Sequence, residues 1–160
     1  MYRISLVLFS IGCLFGAGTA IAHEPPTSGW ALHIDAKRHI TGDVNAVAHH
    51  YCKELPGGVT ACQLYDSDAL NARLVGVEFI IGAEAYAALP ETEQALWHYH
   101  KEEIGVVDPV MPDMTEEEAA EFVKSVEETY GKIFLIWNTA QDELPVGQPM
   151  AYDMAGDEAH

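Results

Sequence analysis

Two β-favouring runs separated by Pro56-Gly57-Gly58 constrain this chain more than any other stretch of it. Val44 to Leu55 alternates weakly, Val59 to Tyr65 resumes a β-favouring pattern, and a Pro-Gly-Gly connection between such runs predicts an antiparallel hairpin. A loop of Pro56, Gly57 and Gly58 sets Leu55 against Val59, and that register places Cys52 opposite Cys62. An oxidising compartment can join such cross-strand neighbours. A slip of one residue would send them to different partners, so the pairing depends on the loop length.

The compartment is itself legible. Residues 1–22 read as a secretory signal peptide, with Arg3 near the start, an apolar run from Ile4 to Phe15, and Ala20-Ile21-Ala22 as the small-x-small site cleaved after Ala22. The run is interrupted by Ser10, Gly12, Gly16 and Gly18 and is short for a bilayer span of ~20 residues, so a periplasmic or secreted protein with no transmembrane helix after signal removal is expected. Cleavage leaves His23 at the amino terminus, where an amine and an imidazole together suit a metal such as copper. Residues 23–43, opening on Pro25, Pro26, Ser28 and Gly29, form an N-terminal extension; 44–150 form one domain and 151–160 a tail. The balance of 8 Lys+Arg against 25 Asp+Glu, a net charge of −17, repels phosphate backbones and argues against nucleic acid as a partner.

Along the domain, Trp30 to Ala36 is a short apolar segment suited to docking on a core, and Thr41-Gly42-Asp43 is a turn signal. Arg73 to Ile81 has the composition of a central strand, with Glu78 in its middle. A carboxylate there either faces solvent or is buried with a partner such as Arg73, a histidine or a metal. Ala83 to Leu89 and Glu91 to Trp97 read as helices, and Thr115-Glu116-Glu117-Glu118 as a capping box. That box opens an amphipathic helix through Ala119, Phe122, Val123, Val126 and Tyr130, with Gly131 as its C-terminal cap. Lys132 to Trp137 is a further strand, and the stretch with Pro145, Gly147 and Pro149 an irregular loop. The order predicts an α+β fold: a single domain with a small antiparallel or mixed sheet, a hairpin, and two to three helices packed on it.

The densest chemistry lies in Leu96-Trp97-His98-Tyr99-His100-Lys101-Glu102-Glu103. On a strand His98, His100 and Glu102 share a face; on a helix His98 pairs with Glu102 and His100 with Glu103. Two histidines and a carboxylate are the ligand set of a catalytic zinc or a non-haem iron. Further ligands are available from His49 or His50, which as strand neighbours point to opposite faces, and from Glu78. The candidate metal ligands are therefore His98, His100, His50, His49, Glu78 and Glu103, for a transition metal such as zinc, iron or copper. Two other readings stand beside this one: hydrogen-bonded histidines at a sheet edge with Trp97 and Tyr99 in the core, or a metal-free element that titrates near neutral pH. The chain has no Gly-rich phosphate loop, no Gly-x-Ser-x-Gly elbow and no zinc-finger cysteine spacing, and Ser67 in Asp66-Ser67-Asp68 reads as a turn residue.

His49-His50-Tyr51-Cys52, Tyr65-Asp66-Ser67-Asp68, Ala72-Arg73-Leu74-Val75-Gly76-Val77-Glu78, Leu96-Trp97-His98 with His100, Tyr130-Gly131-Lys132 and Leu144-Pro145 together resemble the plant oil-body-associated protein family. The family resemblance implies no reaction; it implies Glu103 rather than Glu102 as the acid, and it raises a non-enzymatic binding or structural role, lipid-associated, as the alternative to a metal-binding pocket. The chain departs from the plant pattern in its leader, in the segment before residue 45 and in Lys101 where the family has an acid.

Overall fold

Gly57 and Gly58 both take positive φ, 90° and 74°, and turn the chain between β2 (Val47–Leu55) and β3 (Val59–Tyr65). The register is the one the loop length predicts, with Leu55 opposite Val59 and Cys52 opposite Cys62, and the two cysteines are joined as a disulfide. The structure, a computed structural model, describes residues 25–40 and 43–152. The segment read as a signal peptide, His23, Thr41-Gly42 of the turn signal and the residues beyond 152 lie outside the described residues.

Around the hairpin the chain builds one antiparallel sheet. Its path runs β1 (Leu32–Lys37), β2, β3, β4 (Leu74–Gly82), β6 (Thr129–Leu135) and β5 (His98–Tyr99), and β7 (Met150–Tyr152) also pairs with β6. The expected small sheet carrying two to three packed helices is thus corrected to a seven-stranded antiparallel sheet that dominates the molecule. The apolar segment from Trp30 contributes a whole strand, β1, which pairs antiparallel with the next strand, β2, from Leu32 opposite Cys52 to Lys37 opposite Val47. The strands β5 and β7 contain two and three residues, too short for any periodicity to betray them. Conversely, the two helices read between residues 83 and 97 shrink to α1 (Ala83–Ala87) and α2 (Glu91–Gln94), neither of which buries a residue.

The remaining helices, α3 (His100–Val107) and α4 (Glu116–Val126), lie over one sheet face. The capping box forms as read: Thr115 accepts from the Glu118 backbone N–H while Glu118 reaches back to the Thr115 N–H. Gly131 is not a helix cap. The helix stops at Val126, and Gly131 sits inside β6, paired with Ile80 on one side and His98 on the other.

Alternate residues of the central strands bury Ala48, Cys52, Cys62, Leu64, Ile133 and Leu135 beneath these helices. Because strand side chains alternate, His50 of β2 and Glu78 of β4 share this buried face, and Glu78 stands directly opposite Cys62. A Cys52→Ser/Cys62→Ser protein is expected to lose roughly 2–3 kcal/mol of stability through restored unfolded-state freedom. The urea midpoint checks this; an unchanged midpoint would contradict it.

Candidate metal centre

Glu78 is the hub of a buried histidine cluster. Its carboxylate is 3% exposed, and four imidazoles approach it from four different segments. His50 comes from β2, with Nε2 3.5 Å from Glu78 Oε2. His98 comes from β5, with Nε2 3.3 Å from Glu78 Oε1, and His100 opens α3 with Nε2 3.5 Å from the same oxygen. The fourth, His39, follows β1. Arg38 takes a left-handed turn at φ 64°, and the His39 ring meets His50 edge-on with centroids 4.8 Å apart. His39, Glu78 and His98 each offer a ligand atom, all within 4.8 Å of one another. Glu103 joins from α3, its Oε2 3.7 Å from His98 Nε2.

Local structure explains the convergence. Lys132 and the Trp97 indole N–H both donate to Glu93 Oε1, anchoring α2 and delivering the chain into β5 beside β6. There His98 pairs with Gly131, and the missing side chain matters: a Cβ at Gly131 would come within 2.6 Å of His98 Cε1 and closer still to His98 Nε2 and Glu78 Oε1. Glycine opens the space in which histidine and carboxylate meet. The chain then breaks from strand to helix after Tyr99, so neither the all-strand nor the all-helix geometry for residues 98–103 applies. The break brings Glu103 to the site and leaves Glu102 exposed.

Backbone partners set which ring nitrogen faces Glu78. His39 Nδ1 lies 2.6 Å from the Lys37 carbonyl, and His50 Nδ1 lies 3.0 and 3.1 Å from those of Ala48 and Ile34. A carbonyl only accepts, so these Nδ1 atoms carry the proton and each neutral ring keeps its lone pair on Nε2. The Thr129 hydroxyl donates to the Val126 carbonyl, so toward His100 Nδ1, at 2.7 Å, its oxygen accepts, with the same consequence. Such partners on the far nitrogen are what orients metal-ligating histidines. The Nε2–carboxylate separations of 3.3–3.5 Å exceed the ~2.7–2.9 Å of charge-assisted hydrogen bonds. They match the ~3.3–3.4 Å that separates donors sharing a tetrahedral ion through bonds of ~2.0–2.1 Å.

The electrostatics agree. Burial pushes the Glu78 carboxyl up, but the approach of the His100 and His98 rings, together with the electrostatic influence of His39 and His98, outweighs it and holds Glu78 well below the usual carboxylate range. An ionised carboxylate therefore sits among Nε2 atoms, and a divalent ion held between them would supply the balancing positive charge.

Over this floor lies a cavity of about 70 Å³, walled by Ile104 and Val107 of α3, Pro109 and Met111 of the following loop, and Phe122 and Val126 of α4. His39, His50, His100 and Glu78 face it from the sheet side.

The model for the family described as "Protein of unknown function (DUF1264)" matches residues 25–158. The chain belongs to this family. Oil body-associated protein 2C of Arabidopsis thaliana is 32% identical over 140 residues, covering 85% of this chain and 59% of the relative. Oil body-associated protein 1B of the same plant is 31% identical over 136 residues, 83% of this chain and 56% of its own length. Oil body-associated protein 1A of Zea mays is 38% identical over 106 residues, 64% and 43%. The chain thus spans only 43–59% of the length of these relatives. No solved structure matches it.

Of the six ligand candidates read from the sequence, this DUF1264 chain brings together His50, His98, His100, Glu78 and Glu103. His49 does not join them. It points to the opposite sheet face, where its Nδ1 lies 2.6 Å from Asp35 Oδ1. Arg73, weighed as a partner for Glu78, pairs with Asp66. His39 escaped sequence reasoning because it belongs to no His-x-His pattern and reaches the cluster only through the turn at Arg38.

Burial, reinforced by the neighbouring His50, pushes His39 down to about 3, and burial lowers His50 as well. Bases whose folded pKa is depressed give stability that is complete above their unfolded value near 6.5 and is lost as pH falls from there, since only the unfolded chain takes up the proton. Glu78, an acid with a depressed folded pKa, likewise gives stability present above ~4.3 and lost below it. All three act in the same direction. Metal-free protein is expected to lose on the order of 3 kcal/mol between pH 7 and pH 4. Urea titrations at several pH values measure this, and a flat profile from 7 to 5 would refute it.

Proposed function

We propose that this chain is an exported metalloprotein that binds one divalent first-row transition ion through His39, Glu78 and His98, with His50, His100 and Glu103 beside them. The supporting observation is the set of histidines whose Nδ1 protons are committed to carbonyl or hydroxyl oxygens while their Nε2 atoms surround one ionised, buried carboxylate. Imidazole-rich donors with carboxylate and no thiolate suit zinc, iron or copper, since Cys52 and Cys62 are committed to their disulfide. The disulfide also supports the export reading. The adjoining cavity gives the ion an open side large enough for a small molecule and walled by apolar groups, which suits Lewis-acid activation of a compact substrate.

Elemental analysis of the purified mature protein tests the reading. About one transition ion per chain at this site is expected, falling sharply in His50→Ala and His98→Ala proteins. An absence of metal, together with unfolding that added zinc, iron(II), manganese or copper leaves unmoved, would dispose of it.

The relatives' names carry a second reading, association with a lipid surface. Among the described residues no helix is long and apolar enough to cross a membrane. For surface binding, α4 presents Glu116, Glu117, Glu118 and Glu121 where membrane-surface helices are usually basic. Flotation with neutral and anionic vesicles separates the readings: protein that stays at the bottom of the gradient excludes the lipid role and leaves the metal site untouched.

A further inference from the structure

All six histidines among the described residues fall into two groups, and the second group lies outside the centre around Glu78. His33 and Asp35 of β1 and His49 of β2 occupy the opposite sheet face, with Asp35 and His49 directly paired in the register. Asp35 Oδ1 lies 3.0 Å from His33 Nε2 and 2.6 Å from His49 Nδ1. The bland reading is a carboxylate accepting two ordinary hydrogen bonds. Direction argues against it: His33 Nε2, Asp35 Oδ1 and His49 Nδ1 are all buried atoms without a hydrogen-bond partner, because the close approaches are misaligned. His33 is 8% exposed, so solvent does not satisfy its ring nitrogen.

Three buried donors that lie close together without pointing at one another are the arrangement expected around a shared cation. Mutually adjacent ligands on a six-coordinate ion with bonds of ~2.1 Å stand about 3.0 Å apart, so these separations fit after a shift of a few tenths of an ångström. The surroundings fix the rings. His33 stacks on Tyr51 with centroids 4.5 Å apart, and the Asp113 carboxylate lies 3.6 Å from His33 Nδ1, the nitrogen turned away from Asp35. A carboxylate on the far nitrogen is the usual support of a ligating histidine.

We propose that His33, Asp35 and His49 form a second cation site, a two-histidine, one-carboxylate set for a divalent first-row transition ion. Its place in the fold links it to the first centre. Val110 bridges to Asp35 through both backbone hydrogen bonds, and its neighbours Pro109 and Met111 wall the cavity over Glu78. An ion held by His33 and Asp35, with Asp113 beside it, braces that loop from the other face of the sheet.

The test is a cobalt(II) titration of the metal-stripped full chain, followed by calorimetry and visible absorption, with far-UV circular dichroism to verify folding. Wild type is expected to take up two ions, and Asp35→Asn and His49→Gln one each, with affinity for the second weakened at least 100-fold. The conservative His49→Gln keeps the test decisive should Asp35→Asn fail to fold. Uptake by both variants equal to wild type overturns the second site. The Glu78→Gln protein separates the two centres: it is expected to keep the ion at His33, Asp35 and His49, and if its uptake equals wild type the first centre fails while the second stands. Wild-type uptake of a single ion that Glu78→Gln abolishes and Asp35→Asn leaves alone overturns the second site and supports the first.

Discussion

A Glu78→Gln protein is expected to lose the ion proposed for the histidine cluster and, with it, the stabilisation that such an ion would confer. Glutamine keeps the shape of the side chain but removes the negative charge that draws a cation to the buried floor of the cavity, where Glu78 is 3% exposed. Affinity should fall by at least 100-fold, beyond what loss of a mere supporting partner causes. An ion at a thousandfold excess over its dissociation constant stabilises the folded state by ~4 kcal/mol, which for a domain of this size corresponds to a rise in Tm of more than ~10 °C. Wild type should show that rise on metal addition and Glu78→Gln should not. The metal-free Tm values isolate the other consequence of the substitution, because glutamine changes the contacts that His50, His98 and His100 make with this side chain even without an ion. Glu78→Gln protein that keeps a full ion content and responds to metal like wild type would end the assignment of Glu78 as a ligand.

The second large effect belongs to Gly131. A single methyl group there overlaps His98 and Glu78, so Gly131→Ala should expel the ion and also cost about 1–3 kcal/mol as β5 and β6 are forced apart. Two other glycines separate site from packing. At Gly76 an added Cβ would lie 2.6 Å from the Phe134 carbonyl and 3.1 Å from Leu135 Cδ2, so Gly76→Ala should destabilise the sheet yet leave the ligands in place. At Gly82 a Cβ meets nothing within 4 Å, so Gly82→Ala should change neither stability nor ion content appreciably. Calorimetric unfolding and metal analysis of the three proteins together distinguish a cleared cavity from a merely tight sheet. A Gly131→Ala protein that binds metal normally would show that His98 and Glu78 can separate without loss of the centre.

Sequence reasoning succeeded here wherever the deciding interaction was local. The Pro56-Gly57-Gly58 loop fixes the β2–β3 register through turn geometry alone, and the Cys52–Cys62 pairing follows from counting outward from it. The Thr115–Glu118 capping box is equally local and formed as read. Reading failed where a short segment takes its conformation from a distant partner. β5 is a strand because β6 lies beside it, and Gly131 is a strand residue because His98 and Glu78 need its space, although following Tyr130 it resembles a helix cap.

The candidate site divides along the same line. That only one of the pair His49 and His50 could share a face with the other candidates was legible, because neighbouring strand residues must face opposite ways. Which of the two histidines looks inward, and whether Glu78 faces water or core, depends on which sheet face the helices α3 and α4 cover, a matter of long-range packing. His39 enters only through the left-handed turn at Arg38, and Glu103 only through the strand-to-helix break after Tyr99. By itself, then, the sequence determined the hairpin, the disulfide partners, the family and most of the inventory of candidate side chains, since these rest on local geometry and residue identity. Tertiary structure alone decided that the inventory is sorted into two groups on opposite sheet faces. The sorting arises because a one-residue step along β2 turns a side chain from one face of the sheet to the other, and only assembly of the whole sheet supplies each face with its remaining donors.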